Sequence, residues 1–423
     1  MVKSAIKISQ SYKSGIVRLM RRDNINQKFA HIQGMWRFLN NDRVSIKELG
    51  LEMISKAQKS INVKSGNKVL ILNDWSYVNY TGHKNKKRDL ISENSGRGQK
   101  RYSYELQSSL AVDTISGEAI APIVMNLKSK ESFYSSYEYE DVVKQNKKHL
   151  DELLRRINII ENNYLNKIDK RGVYIVDREG DSVAFIEALI KKDFQFIIRG
   201  KSEVIVQYNE EYIKQKELLN FIDKGKRIIK GIKYKKDKIV DIYANETYVT
   251  VKRKYQRVAT QAVKVKVVIE RVIEQKTNKV VDYWILLTNI EDESSETIAK
   301  WYYYRWKIES FFKLLKSQGF NLEEWQQTTA KATFKRLIIT AFAIIAVLHI
   351  ANQKSKEAKE LRDFLILLDG RYIQRGKEYT LPSLLGGLFI LLRIFDTIEN
   401  FSLEEIMKYK QTLNNLIGDI IKV

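Results

Sequence analysis

At 423 residues and 44% hydrophobic content the chain is long enough for two or three domains around a large core, which excludes disorder as its resting state. Its 74 Lys and Arg outnumber 51 Asp and Glu, and the net charge of +23 points to a polyanionic partner, nucleic acid first and an acidic membrane surface second. The absence of cysteine excludes disulfides and thiolate metal sites, and four scattered histidines (His31, His83, His149, His349) leave the chemistry to carboxylates, hydroxyls and lysines.

Residues 1–62 are basic and helix-patterned, with amphipathic spacing in "KISQSYKSGIVRLMRRDN" and "HIQGMWRFLNNDRVSIKEL", and nothing there has the layout of a signal peptide. At "GNKVLILNDWS" an apolar run, Val69 to Leu72, stops at Asn73 and Asp74, as a strand buried on both faces would. Two more strands are predicted in "YELQSSLAVDTISGEAIAPIVMNL", with a turn near Gly117. A charged helix over Tyr139 to Asn163 leads to a second buried run in "GVYIVDREGD", then a helix in "DSVAFIEALIKKD" and a strand in "FQFIIRGK". Three antiparallel strands followed by alternating helices and strands predict an α/β sheet with helices on both faces.

From Lys201 to Asn289 the pattern is mostly β and rich in lysine, which reads as an inserted β-subdomain. Helices follow, over 295–317, about 328–352, and a leucine-rich tail containing "LPSLLGGLFILLRIF". The apolar run Leu337 to Ile350 falls short of the roughly 18 to 20 residues that span a membrane and reads as a core helix. Two basic stretches, "HKNKKRD" (83–89) and "DKGKRIIKGIKYKKDK" (223–238), are either solvated surface or tracks for phosphates.

The segment "YYYRWKIESFFKLLK" carries the densest set of functional groups. On one continuous helix Arg305, Glu309 and Lys316 fall within about 40° of one another and Tyr302 within about 60° of Arg305, beside an apolar band of Trp301, Ile308, Phe311, Phe312 and Leu315. Such a stripe is either a solvated face with spaced charge pairs or one wall of a site. Asp74 and Asp177 each end an apolar run, so neighbouring strands would bring their carboxylates together, with Glu309 as a third; either aspartate alone also suits a turn or a cap. Hard divalent cations prefer such oxygen ligands and recruit phosphate as a further one.

The spacing of Tyr302, Arg305, Glu309 and Lys316 resembles the Y-x2-R-x3-E-x6-K signature of DDE transposases of bacterial insertion sequences, specifically the insertion-sequence-four family. The resemblance extends to "VDREGD" around Asp177, "FIIRGK" with Arg199, "WILLTN" with Trp284 and "GMWRFLNND" near the N-terminus. Two features depart from the family: Trp75 follows Asp74 where a threonine is common, and the arm before the first catalytic strand is short.

This resemblance implies an α/β, RNase H-like catalytic core over 63–200 and 291–352, interrupted by the β-subdomain at 201–290. A helical N-terminal DNA-binding module over 1–62 and a C-terminal helical dimerisation region over 353–423 flank it. It implies Asp74, Asp177 and Glu309 as a catalytic triad holding two Mg2+ (or Mn2+) ions, and Tyr302, Arg305, Lys316 and Arg199 as DNA contacts. Trp284 is implied as the stacking partner of a base flipped from the duplex, its plainer reading being a core aromatic. The implied activity is cut-and-paste transposition through a hairpin, by a homodimer acting on terminal inverted repeats and target DNA in the bacterial cytoplasm at the nucleoid, with no membrane partner. A metal-dependent nuclease that does not join strands, and a non-catalytic basic DNA-binding protein, are the alternatives.

Overall fold

The computed structural model describes residues 25–64, 66–83, 86, 89–94, 100–139, 148–235, 238–251, 262–371, 373 and 378–417. Residues 1–24 of the expected N-terminal module, 140–147 of the expected charged helix, and parts of both basic stretches (84, 85, 87, 88, 236 and 237) lie outside the described residues.

Two helices, α1 (Ile25–Asn40) and α2 (Ile46–Asn62), precede the sheet, and the Ser45 hydroxyl caps α2 by accepting from the Glu48 amide at 3.3 Å. Strands β1 (Lys68–Asn79), β2 (Ile91–Asn94), β3 (Lys100–Asp113), β4 (Ala119–Lys128) and β5 (Phe133–Ser135) follow. α3 (His149–Ile159) continues as a π turn over Ile160–Leu165; then come β6 (Arg171–Val176), a tight turn over Arg178–Gly180, α4 (Val183–Lys191) and β7 (Gln195–Arg199). Next are β8 (Ile205–Tyr208), β9 (Glu211–Lys214), the single-turn α5 (Leu218–Phe221), β10 (Lys226–Tyr234), β11 (Lys238–Val251), β12 (Val263–Glu274) and β13 (Val280–Thr288). The chain then runs through α6 (Ser295–Tyr303), α7 (Trp306–Lys313), α8 (Ala330–Asn352), α9 (Lys356–Asp369), α10 (Leu381–Asn400) and α11 (Leu403–Ile417).

All the strands join one mixed sheet in the order β5-β4-β3-β1-β6-β7-β13-β12-β11-β8-β9, with β2 on β3 and β10 on β11. β1 runs parallel to β6 and β6 to β7, while β1, β3, β4 and β5 are mutually antiparallel neighbours. The two parallel neighbours at the centre explain the uninterrupted apolar runs, because both of their faces are covered: Leu70, Ile71, Leu72, Val173, Tyr174 and Ile175 are all buried. The lysine-rich strands of 201–290 extend this same sheet through β13, whose Leu286 pairs with Arg199 of β7.

Two expectations from the sequence are corrected. The helix expected over 295–317 is in three pieces: α6 ends at Tyr303, α7 starts at Trp306, and a π turn occupies Leu314–Gln318. Around the break the backbone bonds tighten to three-residue spacing, Arg305 N to Tyr302 O at 2.9 Å and Lys307 N to Tyr304 O at 2.9 Å. Side chains before and within the break are anchored to one turn: the Trp301 indole donates to Thr114 O at 3.1 Å, and the Tyr304 ring lies on Gly117, where a Cβ would stand 2.2 Å from it. Gly117 has φ +68, so the β3–β4 turn needs glycine for its backbone as well as for this contact.

The second correction concerns "HKNKKRD": Lys86 is neither solvated nor on a phosphate track. Its side chain is 2% exposed, donates from Nζ to Trp325 O at 2.5 Å and lies over the Tyr80 ring. The helix expected at about 328–352 is α8, 23 residues long; it and α10 are each apolar and long enough to cross a membrane. α8 nevertheless packs on β4 and α2 with Leu337, Ile338, Ala341 and Ile344 buried, which makes it a core helix.

Candidate active site

Asp74 and Asp177 are brought near each other by the neighbouring parallel strands β1 and β6. The parallel β1–β6 ladder ends at Leu72 opposite Ile175, so Asp74 and Asp177 each lie two residues beyond its last pair, near enough for the charge of Asp177 to act on the Asp74 carboxyl. Asp74 Oδ1 accepts from the Trp75 amide at 2.8 Å. Asp177 Oδ1 accepts from the Glu179 amide at 2.9 Å, so Asp177 does cap the turn that follows it while also lying at this edge. Burial pushes the Asp74 carboxyl up to about 6; the Trp75 amide and Arg305 oppose that push, and the nearby charges of Asp177 and Glu309 add to it.

α7 brings the third carboxylate. Arg305, at its N-terminal boundary, donates from Nη2 to Glu309 Oε1 at 2.6 Å and from Nη1 to Asp74 Oδ2 at 3.2 Å. The planar guanidinium thus links the strand end to the helix, a task that needs two diverging donors. Lys316, on the π turn, donates to Ser76 Oγ at 2.6 Å and to Tyr77 O, which pins that turn to β1 just beyond Asp74. The geometry therefore gathers Asp74, Asp177, Glu309, Arg305 and Lys316 at one sheet edge even though the helix is broken. Among the described residues no three carboxylate or imidazole groups are drawn tightly enough together to enclose an ion. Arg305 stands between two of the three.

A second wall comes from the far side of β7. Glu270 of β12 is the cross-strand partner of Trp284 of β13, and Arg199 pairs with Leu286, so Arg199, Trp284 and Glu270 share one face of the sheet. The Arg199 guanidinium carbon lies 5.8 Å from the Trp284 ring centre. Trp284 is half-buried and packs on both the main core and a smaller cluster of Val240, Ile242 and Val272. Tyr302 is buried, and its hydroxyl is pushed up by burial, with Arg305 and Arg199 opposing and Glu270 and Asp177 adding. Its Oη, like Glu270 Oε1, has no hydrogen-bond partner among the described residues. Burial raises the Glu270 carboxyl well above the carboxylate range, against the pull of Arg199.

Two groups beside the site escaped the sequence reading. Glu270 interrupts the apolar run "VKVVIERVI", and a lone acid in such a run is the signal that marks it. His149 opens α3: its Nε2 faces Glu105 Oε1 at 3.1 Å, its Nδ1 faces Glu179 Oε1 at 3.3 Å, and its ring lies 4.8 Å from that of Trp75. Nothing local in the sequence announces those contacts.

Residues 65–346 match the family described as the transposase DDE domain. The chain belongs to that transposase family. No curated protein matches it. The matched span opens just before β1 and closes inside α8, so it takes in Asp74 within β1, Asp177 just past β6, the second wall and the whole signature segment. The mixed sheet, with three antiparallel strands followed by two parallel ones, is consistent with an RNase H-like DDE domain. As a member of a transposase family the protein is an enzyme that acts on DNA, in keeping with its charge of +23.

Proposed function

We propose that this transposase excises an insertion sequence and joins it to target DNA, as the insertion-sequence-four branch does, through a hairpin intermediate. The observation that supports it most is the convergence of Asp74, Asp177 and Glu309, from two strands and a helix far apart in sequence, on one site bordered by Arg305 and Lys316.

The donor set suits a hard divalent cation: it is all oxygen, and the partly buried Asp74 carboxyl has two like charges near it that Arg305 opposes. Asp74, Asp177 and Glu309 would hold Mg2+ or Mn2+. When bound, a pair of such ions supplies activation of the attacking oxygen and stabilisation of the leaving one. Arg305 contacts phosphates at the transposon end, exchanging carboxylate partners for phosphate oxygens of the same fork geometry, and Tyr302 joins it there once its buried hydroxyl is uncovered. Lys316 and Arg199 grip the flanking backbone, and the exposed part of Trp284 receives a base turned out of the duplex so that the strand can reach across. α10, with Phe395 and Ile398 exposed, is assigned to pairing two subunits, each bringing one transposon end.

The test is incubation of the purified protein with its own element's ends and a plasmid target, with and without Mg2+. Hairpin ends and strand-transfer products that depend on Mg2+ and vanish in Asp74→Ala, Asp177→Ala and Glu309→Ala, with end binding retained, are the expected result. Hydrolysed ends without joined product would make it a nuclease, and binding without cleavage a DNA-coating protein.

A further inference from the structure

The β1–β6 ladder stops two residues short of the aspartates it is meant to align. Its last pair is Leu72 with Ile175; β1 continues against β3 as far as Asn79, while the chain after Val176 turns away through Arg178–Gly180. The distance between Asp74 and Asp177 is therefore not held by ladder hydrogen bonds. What joins the two segments there is His149. One ring nitrogen faces Glu179, on the turn two residues past Asp177, and the other faces Glu105 of β3. The ring lies against Trp75, the residue after Asp74.

Consecutive strand residues point to opposite faces, so Trp75, its cross-strand partner Gln107, and Glu105 share the face away from Asp74. Glu105 is itself fixed there, accepting from Gln107 Nε2 at 2.8 Å, and Gln107 Oε1 faces the buried Arg156 of α3 and Asn126 of β4. A ring with a carboxylate on each nitrogen and a tilted aromatic ring packed against it has little freedom to turn.

We infer that His149 is a positioning residue that sets the spacing of Asp74 and Asp177 from behind the sheet, by clamping Trp75 and Glu179 to Glu105. The inference rests on the reading of Asp74 and Asp177 as metal ligands. It also gives Trp75 a role, since its large ring stands against that of His149. His149 touches neither DNA nor the reacting atoms, and its contribution lies in the affinity of the aspartate pair for a cation.

Mn2+ is the probe. Its binding to the full-length protein, read by electron paramagnetic resonance without DNA, is compared for wild type, His149→Ala, Glu179→Ala, the double variant and Asp74→Ala. His149→Ala is expected to weaken Mn2+ binding about tenfold or more, as loss of an orienting group behind a ligand does. End cleavage should recover to within about threefold at saturating Mn2+, a shift in the metal requirement and not in the chemical step. The double variant should bind no more weakly than His149→Ala alone, since Glu179 acts through the same ring. Unchanged Mn2+ affinity in a folded His149→Ala protein, or additive losses in the double variant, would overturn the inference. If His149→Ala does not fold, Glu179→Ala, which cuts the clamp on one side only, decides the matter by the same readout. A wild type that binds Mn2+ no better than Asp74→Ala would instead remove the metal reading of the aspartates, and the clamp's assigned role with it.

Discussion

Arg305 holds Glu309 one helical turn along α7 with a 2.6 Å hydrogen bond, and its other terminal nitrogen reaches across to Asp74. Two acids destined for one site are thereby kept apart by the cation between them. Without metal, Arg305→Ala is expected to lower stability by about 1–2 kcal/mol in urea unfolding, the side chains being partly exposed and the pair partly screened. Arg305→Lys keeps the charge but offers a single point in place of a fork, so it should recover little of the transposon-end affinity. Full recovery of end binding by lysine would show that charge alone suffices.

Trp284 is part core and part open surface, so the proposed stacking of a base can be told from packing by kinetics. Trp284→Ala should leave the first nick near its normal rate and slow hairpin formation, and an end lacking the flipped base should partly restore it. Equal loss of both steps, with a lowered melting temperature, would mark a packing residue.

End binding should weaken steeply with salt. A duplex releases counterions in proportion to the phosphates neutralised, with a log–log slope of about −0.9 per contact. Arg199→Ala and Lys316→Ala should each make that slope shallower by about one contact, as measured by fluorescence anisotropy across a potassium chloride series. Variants whose affinity falls with an unaltered slope would place those side chains off the backbone.

Lys86 gives stability a pH dependence of defined sign. Burial pushes its amine down to about 7 from 10.5, Arg336 adding to the push and Asp89 opposing it. Between those two values the unfolded chain carries a proton on Lys86 that the folded chain has shed, so this residue makes stability rise with pH across that window. Lys86→Met, similar in volume and uncharged, is expected to exceed wild type at pH 6 by about 1–2 kcal/mol, after the loss of the bond to the Trp325 carbonyl is set against the charge removed. The advantage should shrink by pH 9. Urea midpoints of both proteins at the two pH values check it, and parallel pH profiles would show that Lys86 keeps its proton when folded.

The spacing of Tyr302, Arg305, Glu309 and Lys316, the aspartates ending two apolar runs, and the mixed α/β order were all legible in the chain itself. Each is a local pattern: a strand buried on both faces has to be apolar, and a signature is a matter of spacing. Only the tertiary structure decided that the signature segment breaks at Tyr304, where Trp301 bonds to Thr114 and Tyr304 lies on Gly117 of the β3–β4 turn. It alone buried Lys86 under Trp325, set Glu270 beside Trp284, and put His149 between Glu105 and Glu179. Those pairings join residues brought together by sheet register and helix packing, and a lysine, a glutamate or a histidine in a linear sequence carries no mark of which distant strand will lie against it.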